Sequence, residues 1–262
     1  MGKKVVFCNC SAKLTGADRL ENISKYLVQT GFPFIEISDL CGCFVDRKKE
    51  TSDLFSVEDE ILIIACYPRA VRLLLENCGV DLQALKYSIL NFRELNNCQL
   101  FGAINTFFER ETGKGYYSQF SIDAGWPSWF PVIDYSRCTS CGQCADFCLF
   151  GVYEKQDKKV VVVNPKGCKN NCPACGRICP QTAIVFPKYE HDGAIAGSDA
   201  FDEVAEHQRQ SQDIETILGS NIYKALEMRK AKRRSIIQSS AMQKAMDERE
   251  KARGEEEAKG RR

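Results

Sequence analysis

Apolar runs of strand length alternate with amphipathic stretches over the first half of the chain. Four runs have the length of buried strands: 4–8, 34–37, 60–65 and 87–90. Between them, Leu20, Ile23 and Leu27 share one face of a predicted helix over 17–29, and Pro68 suits the first turn of another. Strands separated by helices predict parallel pairing with right-handed crossovers. We therefore expect an α/β domain with a flavodoxin-like parallel sheet.

Beyond the α/β domain, the hydrophobic and polar pattern divides the chain into further segments. Trp126 and Trp129, set among prolines, indicate a packed connector. The C-terminal part is rich in Ala, Gln, Glu, Lys and Arg with a narrow apolar stripe, which predicts a charged helical tail that lies along a partner subunit or along the protein's own surface. The predicted divisions are an α/β domain, a connector, a smaller α+β domain and the tail, at 1–117, 118–130, 131–187 and 188–262.

Composition narrows the class of protein. The 262 residues carry a net charge of +1, and the apolar stretch Ile61–Tyr67 is too short to span a membrane. Fifteen cysteines, an odd number, without an export signal favour metal or redox chemistry in the cytoplasm over a disulfide framework. His191 and His207 both follow the last cysteine, which disfavours mixed Cys–His zinc sites and Rieske clusters.

Eight of the cysteines form two compact motifs. Residues 138–148 read C-x2-C-x2-C-x3-C, and residues 168–180 read C-x3-C-x2-C-x3-C-P. Paired all-cysteine zinc sites and CxxC redox dithiols are weaker readings, because four ligands in eleven or twelve residues suit a cubane. Over about 131–187 the sequence resembles bacterial two-cluster ferredoxins, although Leu149 replaces the usual proline.

The ferredoxin resemblance implies two [4Fe-4S] clusters, with the last cysteine of each motif reaching the other cluster. The first set of ligands is then Cys138, Cys141, Cys144 and Cys179, and the second set is Cys148, Cys168, Cys172 and Cys175. After the motifs, Leu149–Tyr153 is taken to correspond to Gln181–Val185.

Cysteines also follow the first three predicted strands, where a parallel sheet gathers its ligands. Cys8-Asn9-Cys10, Leu40-Cys41 and Ala65-Cys66-Tyr67-Pro68-Arg69 make residues 1–115 resemble the N-terminal domain of the flavin-binding subunit of heterodisulfide reductase. The resemblance implies a third, non-standard [4Fe-4S] cluster on an N-terminal set: Cys8, Cys10, Cys41 and Cys66. Cys43 is a competing ligand. That family's glycine-rich flavin fingerprint is absent from these residues.

Three clusters predict an iron-sulfur electron-transfer subunit rather than a catalytic one. It would relay electrons between a low-potential soluble carrier and partner oxidoreductase subunits, which could contain the flavin. The alternative is a thiol/disulfide-active reductase subunit in which the N-terminal cluster is catalytic and Cys43 is a spare thiol. The basic run Arg229–Arg234 suggests nucleic acid, but no recognition-helix motif accompanies it, which favours a charged helix face.

Overall fold

The computed structural model describes residues 2–10, 15–108, 115–120, 126–218 and 227–228. The chain divides into two compact units, Met1–Ser211 and Gln212–Arg262. In the second unit the described residues, 212–218 and 227–228, are helical. The rest of the predicted tail, including the run Arg229–Arg234, lies outside the described residues. Within the described ranges, no helix has both the length and the apolar character needed to cross a membrane.

A five-stranded parallel sheet forms the centre of the α/β domain. Its strands are β1 (Lys3–Cys8), β2 (Phe34–Ile37), β3 (Glu60–Ala65), β4 (Lys86–Asn91) and β5 (Tyr117–Phe120). Their order across the sheet is β4-β3-β1-β2-β5, and every neighbouring pair is parallel. The predicted parallel sheet is confirmed. Four strands follow the flavodoxin-like order, but β5 lies beside β2 instead of beside β4.

The two central strands are buried on both faces. Val6 and Phe7 in β1 are 1% and 0% exposed, Ile63 and Ile64 in β3 are both inaccessible to solvent, and the two members of each pair point to opposite faces. A strand covered on both sides needs apolar residues at successive positions, so its sequence is a continuous run instead of an alternation. The apolar runs of β1 and β3 were detectable in the sequence for this reason.

Strand β5 corrects the predicted boundary between the α/β domain and the connector. Residues 118–120, assigned to the connector, pair with β2 and extend the sheet. The backbone N–H of Phe34 donates to the carbonyl of Tyr116 at 3.0 Å, and that of Ser38 donates to the carbonyl of Phe120 at 3.2 Å. Tyr-Ser-Gln-Phe is half polar, and its side chains are mostly exposed because β5 is an edge strand. Backbone pairing therefore defines this strand, and no apolar run marks it.

Five helices follow or connect these strands. They are α1 (Ala17–Thr30), α2 (Leu40–Asp46), α3 (Lys48–Ser52), α4 (Pro68–Asn77) and α5 (Asn97–Phe108). Helix α1 ends where Gly31 adopts a left-handed conformation with φ of 68°. Helix α4 begins with Pro68 in its first turn, as predicted. Helices α2, α3 and α5 were not predicted.

The segment 131–187, here called the eight-cysteine segment, is built from small paired elements. Its elements are β6 (Val132–Ile133), α6 (Gln143–Phe147), β7 (Tyr153–Gln156), β8 (Lys159–Val162), a 3-10 turn (Pro165–Gly167), α7 (Ala174–Arg177) and β9 (Ile184–Val185). The short strands β6 and β9 pair antiparallel, and β7 pairs antiparallel with β8. The pairing of β6 with β9 joins the two ends of the segment, so the two cysteine motifs fold back on one another.

A buried ion pair joins the α/β domain to the eight-cysteine segment. Arg69, in the first turn of α4, donates from Nε to Asp134 Oδ2 at 2.9 Å and from Nη2 to the carbonyl of Thr182 at 2.8 Å. Both side chains of the ion pair are more than nine-tenths buried. A charge removed from water is stable only when it is paired and hydrogen-bonded, so this contact requires the two parts to be packed together.

Residues immediately after the eight-cysteine segment correct the predicted start of the tail. Lys188, Tyr189 and Ile195 are buried, and helix α8 begins only at Glu203 and ends at Leu218. Gly197 has φ of 98°, and a Cβ there would lie 2.7 Å from the Cβ of Ala70 in α4. The stretch 188–198 is therefore part of the packed unit, and the helical tail starts later than its composition suggested.

Candidate metal centres

The N-terminal set of cysteines lies at one edge of the parallel sheet. Cys8 is the last residue of β1, and Cys10 follows two positions later. Cys66 comes directly after β3, and Cys41 lies in the first turn of α2, the helix that follows β2. Because β1, β2 and β3 are adjacent and parallel, their carboxyl ends bring these residues to the same crevice.

The thiols of this set are electrostatic neighbours. The pKa of Cys8 is raised well above its ordinary value by a hydrogen bond with the Cys10 side chain, by burial and by the thiols of Cys10 and Cys41. Burial raises the pKa of Cys66 to about 12, and Cys10 adds to that rise. Burial and Asp39 raise the pKa of Cys41, with further contributions from Cys66 and Cys10. The structure thus brings all four predicted residues together.

Cys43 points elsewhere, because Cys41 and Cys43 lie in a helix and not in the predicted turn. Residues two apart on a helix are about 200° apart around its axis and cannot face the same site. The Cys43 side chain is buried, and burial raises the pKa of its thiol to about 12, with contributions from Asp39 and Cys78. Cys78 follows α4, and its thiol approaches the carbonyl of Phe44. The geometry favours Cys41 over Cys43 as the fourth member of the N-terminal set.

Lys188 brings a positive charge to the N-terminal set. Its Nζ donates to Asp39 Oδ2 at 2.8 Å and to the carbonyl of Pro127 at 2.9 Å. Asp39 is the N-cap of α2, where its Oδ1 accepts from the backbone N–H of Gly42. Neither Lys188 nor Asp39 was predicted from the sequence. The two residues are 149 positions apart, and no local pattern connects them.

The first set also forms a group within the eight-cysteine segment. Burial, together with the thiols of Cys179, Cys141 and Cys138, raises the pKa of Cys144 to about 12. The backbone N–H of Ala183 donates to Cys179 Sγ at 3.3 Å, and that of Ser140 donates to Cys138 Sγ at 3.4 Å. Cys179, from the second motif, is therefore a neighbour of the first three cysteines of the first motif.

The second set shows the reciprocal crossing. Burial raises the pKa of Cys168 to about 12, and the thiols of Cys148 and Cys172 add to the rise. Burial also raises the pKa of Cys175, with contributions from Cys168, Cys144 and Cys148. Cys148, the last cysteine of the first motif, is thus a neighbour of the second motif. Because Cys144 belongs to the first set, its effect on Cys175 shows that the two sets are adjacent.

The same backbone conformation recurs in the two motifs. Ser140 and Asn171, each just before the second cysteine of its motif, have φ of 56°. Gly151 and Thr182, each three positions after the last cysteine, have φ of 64° and 50°. Left-handed conformations are uncommon outside glycine, so their recurrence marks equivalent positions. The recurrence therefore aligns Gly151 with Thr182. This alignment differs by one position from the predicted match of Leu149–Tyr153 with Gln181–Val185.

Two buried hydrogen-bond donors near the second set are suited to a cofactor that offers sulfur atoms as acceptors. The Tyr153 hydroxyl donates to Cys175 Sγ at 3.1 Å, which opposes the rise that burial causes in the pKa of Cys175. Within the part of the chain that the structure describes, the buried indole N–H of Trp129 has no hydrogen-bond acceptor at proper geometry, yet it is near enough to Cys168 to oppose the rise in the pKa of that thiol. A buried N–H without an acceptor is costly. Thiolate or sulfide at this position would satisfy it, as in iron-sulfur proteins, where hydrogen bonds to sulfur tune the potential.

The described cysteines are all free thiols. Among the described residues, no three His, Cys, Asp or Glu side chains converge as the ligands of a single metal ion would. The donor chemistry is entirely sulfur in each of the three sets. Four cysteine thiolates are the ligands that a [4Fe-4S] cluster takes, one for each iron, so the donor chemistry of each set fits such a cluster.

Comparison with known proteins gives the same chemistry for the first motif. A family model described as a 4Fe-4S binding domain matches residues 131–151. An uncharacterized ferredoxin of Methanocaldococcus jannaschii is 42% identical over 90 residues, which are 34% of this chain and 56% of that protein. A second uncharacterized ferredoxin of the same organism is 39% identical over 55 residues, which are 20% of this chain and 87% of that protein. The chain belongs to the ferredoxin family.

The chain covers only about half the length of the first relative, 56%. No solved structure matches the chain. The comparisons give no support to the resemblance between residues 1–115 and heterodisulfide reductase, which stays a prediction. They support [4Fe-4S] binding by the ferredoxin without fixing the number of clusters.

Proposed function

We propose that this ferredoxin is an electron-transfer protein with three [4Fe-4S] clusters. The observation that carries the proposal is the grouping of twelve cysteines into three sets of four within one compact unit. When bound by thiolates, such clusters supply one-electron transfer at potentials set by burial, charge and hydrogen bonds. The role of the chain is to hold the three sets at fixed positions and to supply those hydrogen bonds.

Proximity of the sets supports a relay. Tyr153 is near members of both the first and the second set: its hydroxyl donates to Cys175 Sγ, and burial, Cys175, Cys144 and Cys148 together raise the pKa of that hydroxyl. The N-terminal set is connected to the eight-cysteine segment by Lys188, which is paired with Asp39. An electron arriving at one site would therefore find the others within the same packed unit.

Partners follow from this role as part of the proposal. A relay needs a donor and an acceptor, and we assign these to a low-potential soluble carrier and to the subunits of a partner oxidoreductase. The resemblance of the N-terminal set to that of heterodisulfide reductase favours a partner that supplies flavin chemistry. Without a flavin fingerprint in these residues, the chain itself would carry only single electrons.

The thiol/disulfide-active alternative receives less support. It places a reactive spare thiol, Cys43, beside the N-terminal set. Cys43 is buried on the other side of α2, and burial raises its pKa to about 12. A thiol reacts as its thiolate, so a buried thiol with a raised pKa is a poor nucleophile. The geometry therefore favours electron relay over thiol chemistry at this position.

Iron and sulfide analysis of anaerobically purified protein tests the proposal. Three clusters require about twelve irons and twelve sulfides per chain. Cys66→Ser should reduce the content to about eight while the electron paramagnetic resonance of the first and second sets persists. Cys43→Ser, the matched control from the same domain, should keep about twelve. About eight irons in the unaltered protein, or stoichiometric zinc, would contradict the proposal.

A further inference from the structure

Lys188 and Asp39 form a buried ion pair at the N-terminal set. Their side chains are 5% and 7% exposed, and Nζ lies 2.8 Å from Oδ2. Asp39 belongs to the α/β domain, whereas Lys188 directly follows the eight-cysteine segment. The pair therefore exists only because the two parts pack together, and each charge depends on the other for its stability in a site that excludes water.

Both charges act on the thiols of the N-terminal set. Asp39 precedes Cys41 by two positions and caps the helix that carries it. Its carboxylate raises the pKa of Cys41 after burial, and Lys188 opposes that rise. In return, burial lowers the pKa of Lys188, but Cys41, Asp39 and Cys10 outweigh it and leave the pKa raised. Arg93 is a further cation near this set, opposing the rise in the pKa of Cys66.

A buried charge changes the cost of adding an electron to a nearby centre. Reduction adds one negative charge and neither makes nor breaks a bond. An uncompensated carboxylate would disfavour it, and an uncompensated ammonium would favour it. With both present, Lys188 offsets the carboxylate nearest Cys41.

We propose that the Asp39–Lys188 pair sets the reduction potential of the N-terminal cluster, with Lys188 as a positioning residue that couples this potential to the docking of the eight-cysteine segment. This inference rests on the proposed third cluster. It predicts opposite effects for the two members of the pair, which a purely structural contact would not produce.

The experiment is a potentiometric titration of the full chain with dithionite at one fixed pH, followed by electron paramagnetic resonance. Lys188→Met leaves the carboxylate uncompensated and should lower the potential of the N-terminal cluster. Asp39→Asn keeps an oxygen for the helix cap, leaves Lys188 uncompensated and should raise it. Each shift should change the ratio of reduced to oxidised cluster by about tenfold at fixed potential, or about 59 mV for one electron.

Three further variants complete the design. Lys188→Arg should restore a potential close to that of the unaltered protein, and the double variant with Lys188→Met and Asp39→Asn should show a smaller shift than either single one. Lys4→Met is the matched control, because Lys4 is another buried lysine paired with an aspartate, Asp59 at 2.9 Å, at the opposite end of β1. It should leave all three potentials unchanged.

Single variants that shift the potential in the same direction, or no further than Lys4→Met, would overturn the inference. If Lys188→Met does not retain its iron, the reduction potentials of Asp39→Asn and Lys188→Arg test the inference without it. About twelve irons with unmoved potentials would overturn this inference only. About eight irons in the unaltered protein would overturn the proposed function and this inference with it.

Discussion

The hydroxyl of Tyr153 donates a buried hydrogen bond to Cys175 Sγ at 3.1 Å. Tyr153 is the first residue of β7, and Cys175 lies in α7, so the bond joins the part of the fold that follows the first motif to the helix of the second. A hydrogen bond to a thiolate stabilises its negative charge. Because a reduced cluster carries one more negative charge, this donor favours the reduced state.

Tyr153→Phe should therefore lower the potential of the second-set cluster. A hydrogen bond contributes about 0.5–1.5 kcal/mol net, so the shift should not exceed about 59 mV, a tenfold change for one electron. Potentiometric titration followed by electron paramagnetic resonance measures it. Tyr26→Phe is a suitable control, because the Tyr26 hydroxyl donates to Asn105 in the α/β domain. An unchanged potential in Tyr153→Phe would exclude the hydroxyl from tuning the cluster.

Trp129 provides a second test, because its indole separates packing from hydrogen bonding. The ring stacks on Phe186 with centroids 5.1 Å apart, and its buried N–H lies near Cys168. Trp129→Phe keeps an aromatic ring in the stack and removes the donor. We expect a lower potential for the second-set cluster with the first-set potential unchanged. Phe186→Leu disturbs the same stack without removing a donor and should leave both potentials in place. Equal shifts in the two variants would indicate that packing alone matters.

Elements with a local signal could be predicted from the sequence. β1 and β3 are continuous apolar runs, and the crossed cysteine sets are what the resemblance of the two motifs to two-cluster ferredoxins implies. Helix α2 was missed because Leu-Cys-Gly-Cys-Phe-Val contains a glycine and a β-branched residue that weaken its helical signal. Without that helix, Cys41 and Cys43 could not be assigned to opposite faces. Lys188 and Asp39 meet only through tertiary packing, so no short window of sequence could have paired them.

The buried Arg69–Asp134 pair should contribute strongly to stability. Arg69→Met leaves Asp134 as a buried carboxylate without its cation, and the carbonyl of Thr182 loses a donor. Breaking a buried pair in this way costs about 3–5 kcal/mol. Anaerobic thermal unfolding, followed by circular dichroism and by cluster absorbance, should show a clearly lower melting temperature.

Arg72→Met is the matched control for this experiment. Arg72 lies in the same helix and pairs with Asp199 at 2.6 Å, but the two side chains are 36% and 52% exposed. An exposed pair is worth about 0–1 kcal/mol, so this variant should unfold close to the unaltered protein. Equal decreases in melting temperature in the two variants would mean that burial of the Arg69–Asp134 pair adds nothing to its effect on stability.

The lowered pKa of Asp46 predicts that part of the stability of the fold is lost in acid. Burial would raise the pKa of its carboxyl, but hydrogen bonds from Lys166 and Trp126, together with the charges of Lys166 and Arg47, outweigh burial and leave the pKa lowered. A carboxyl with a lowered pKa in the folded state stabilises the fold above its unfolded value of about 3.9. That contribution is lost as the pH falls through the folded pKa.

Asp46→Asn should accordingly unfold more easily than the unaltered protein near pH 7, and the difference should shrink as the pH falls below the unfolded pKa of about 3.9. Only the difference between the two proteins at each pH is used, because acid also affects bound clusters. The expected difference at pH 7 is about 1 kcal/mol, as for a partly exposed ion pair. In a Lys166→Met background, Asp46→Asn should cause a smaller and less pH-dependent loss, because one partner of the carboxylate is already gone. If the difference in unfolding free energy between Asp46→Asn and the unaltered protein grew as the pH fell, the pKa of Asp46 would be raised and not lowered.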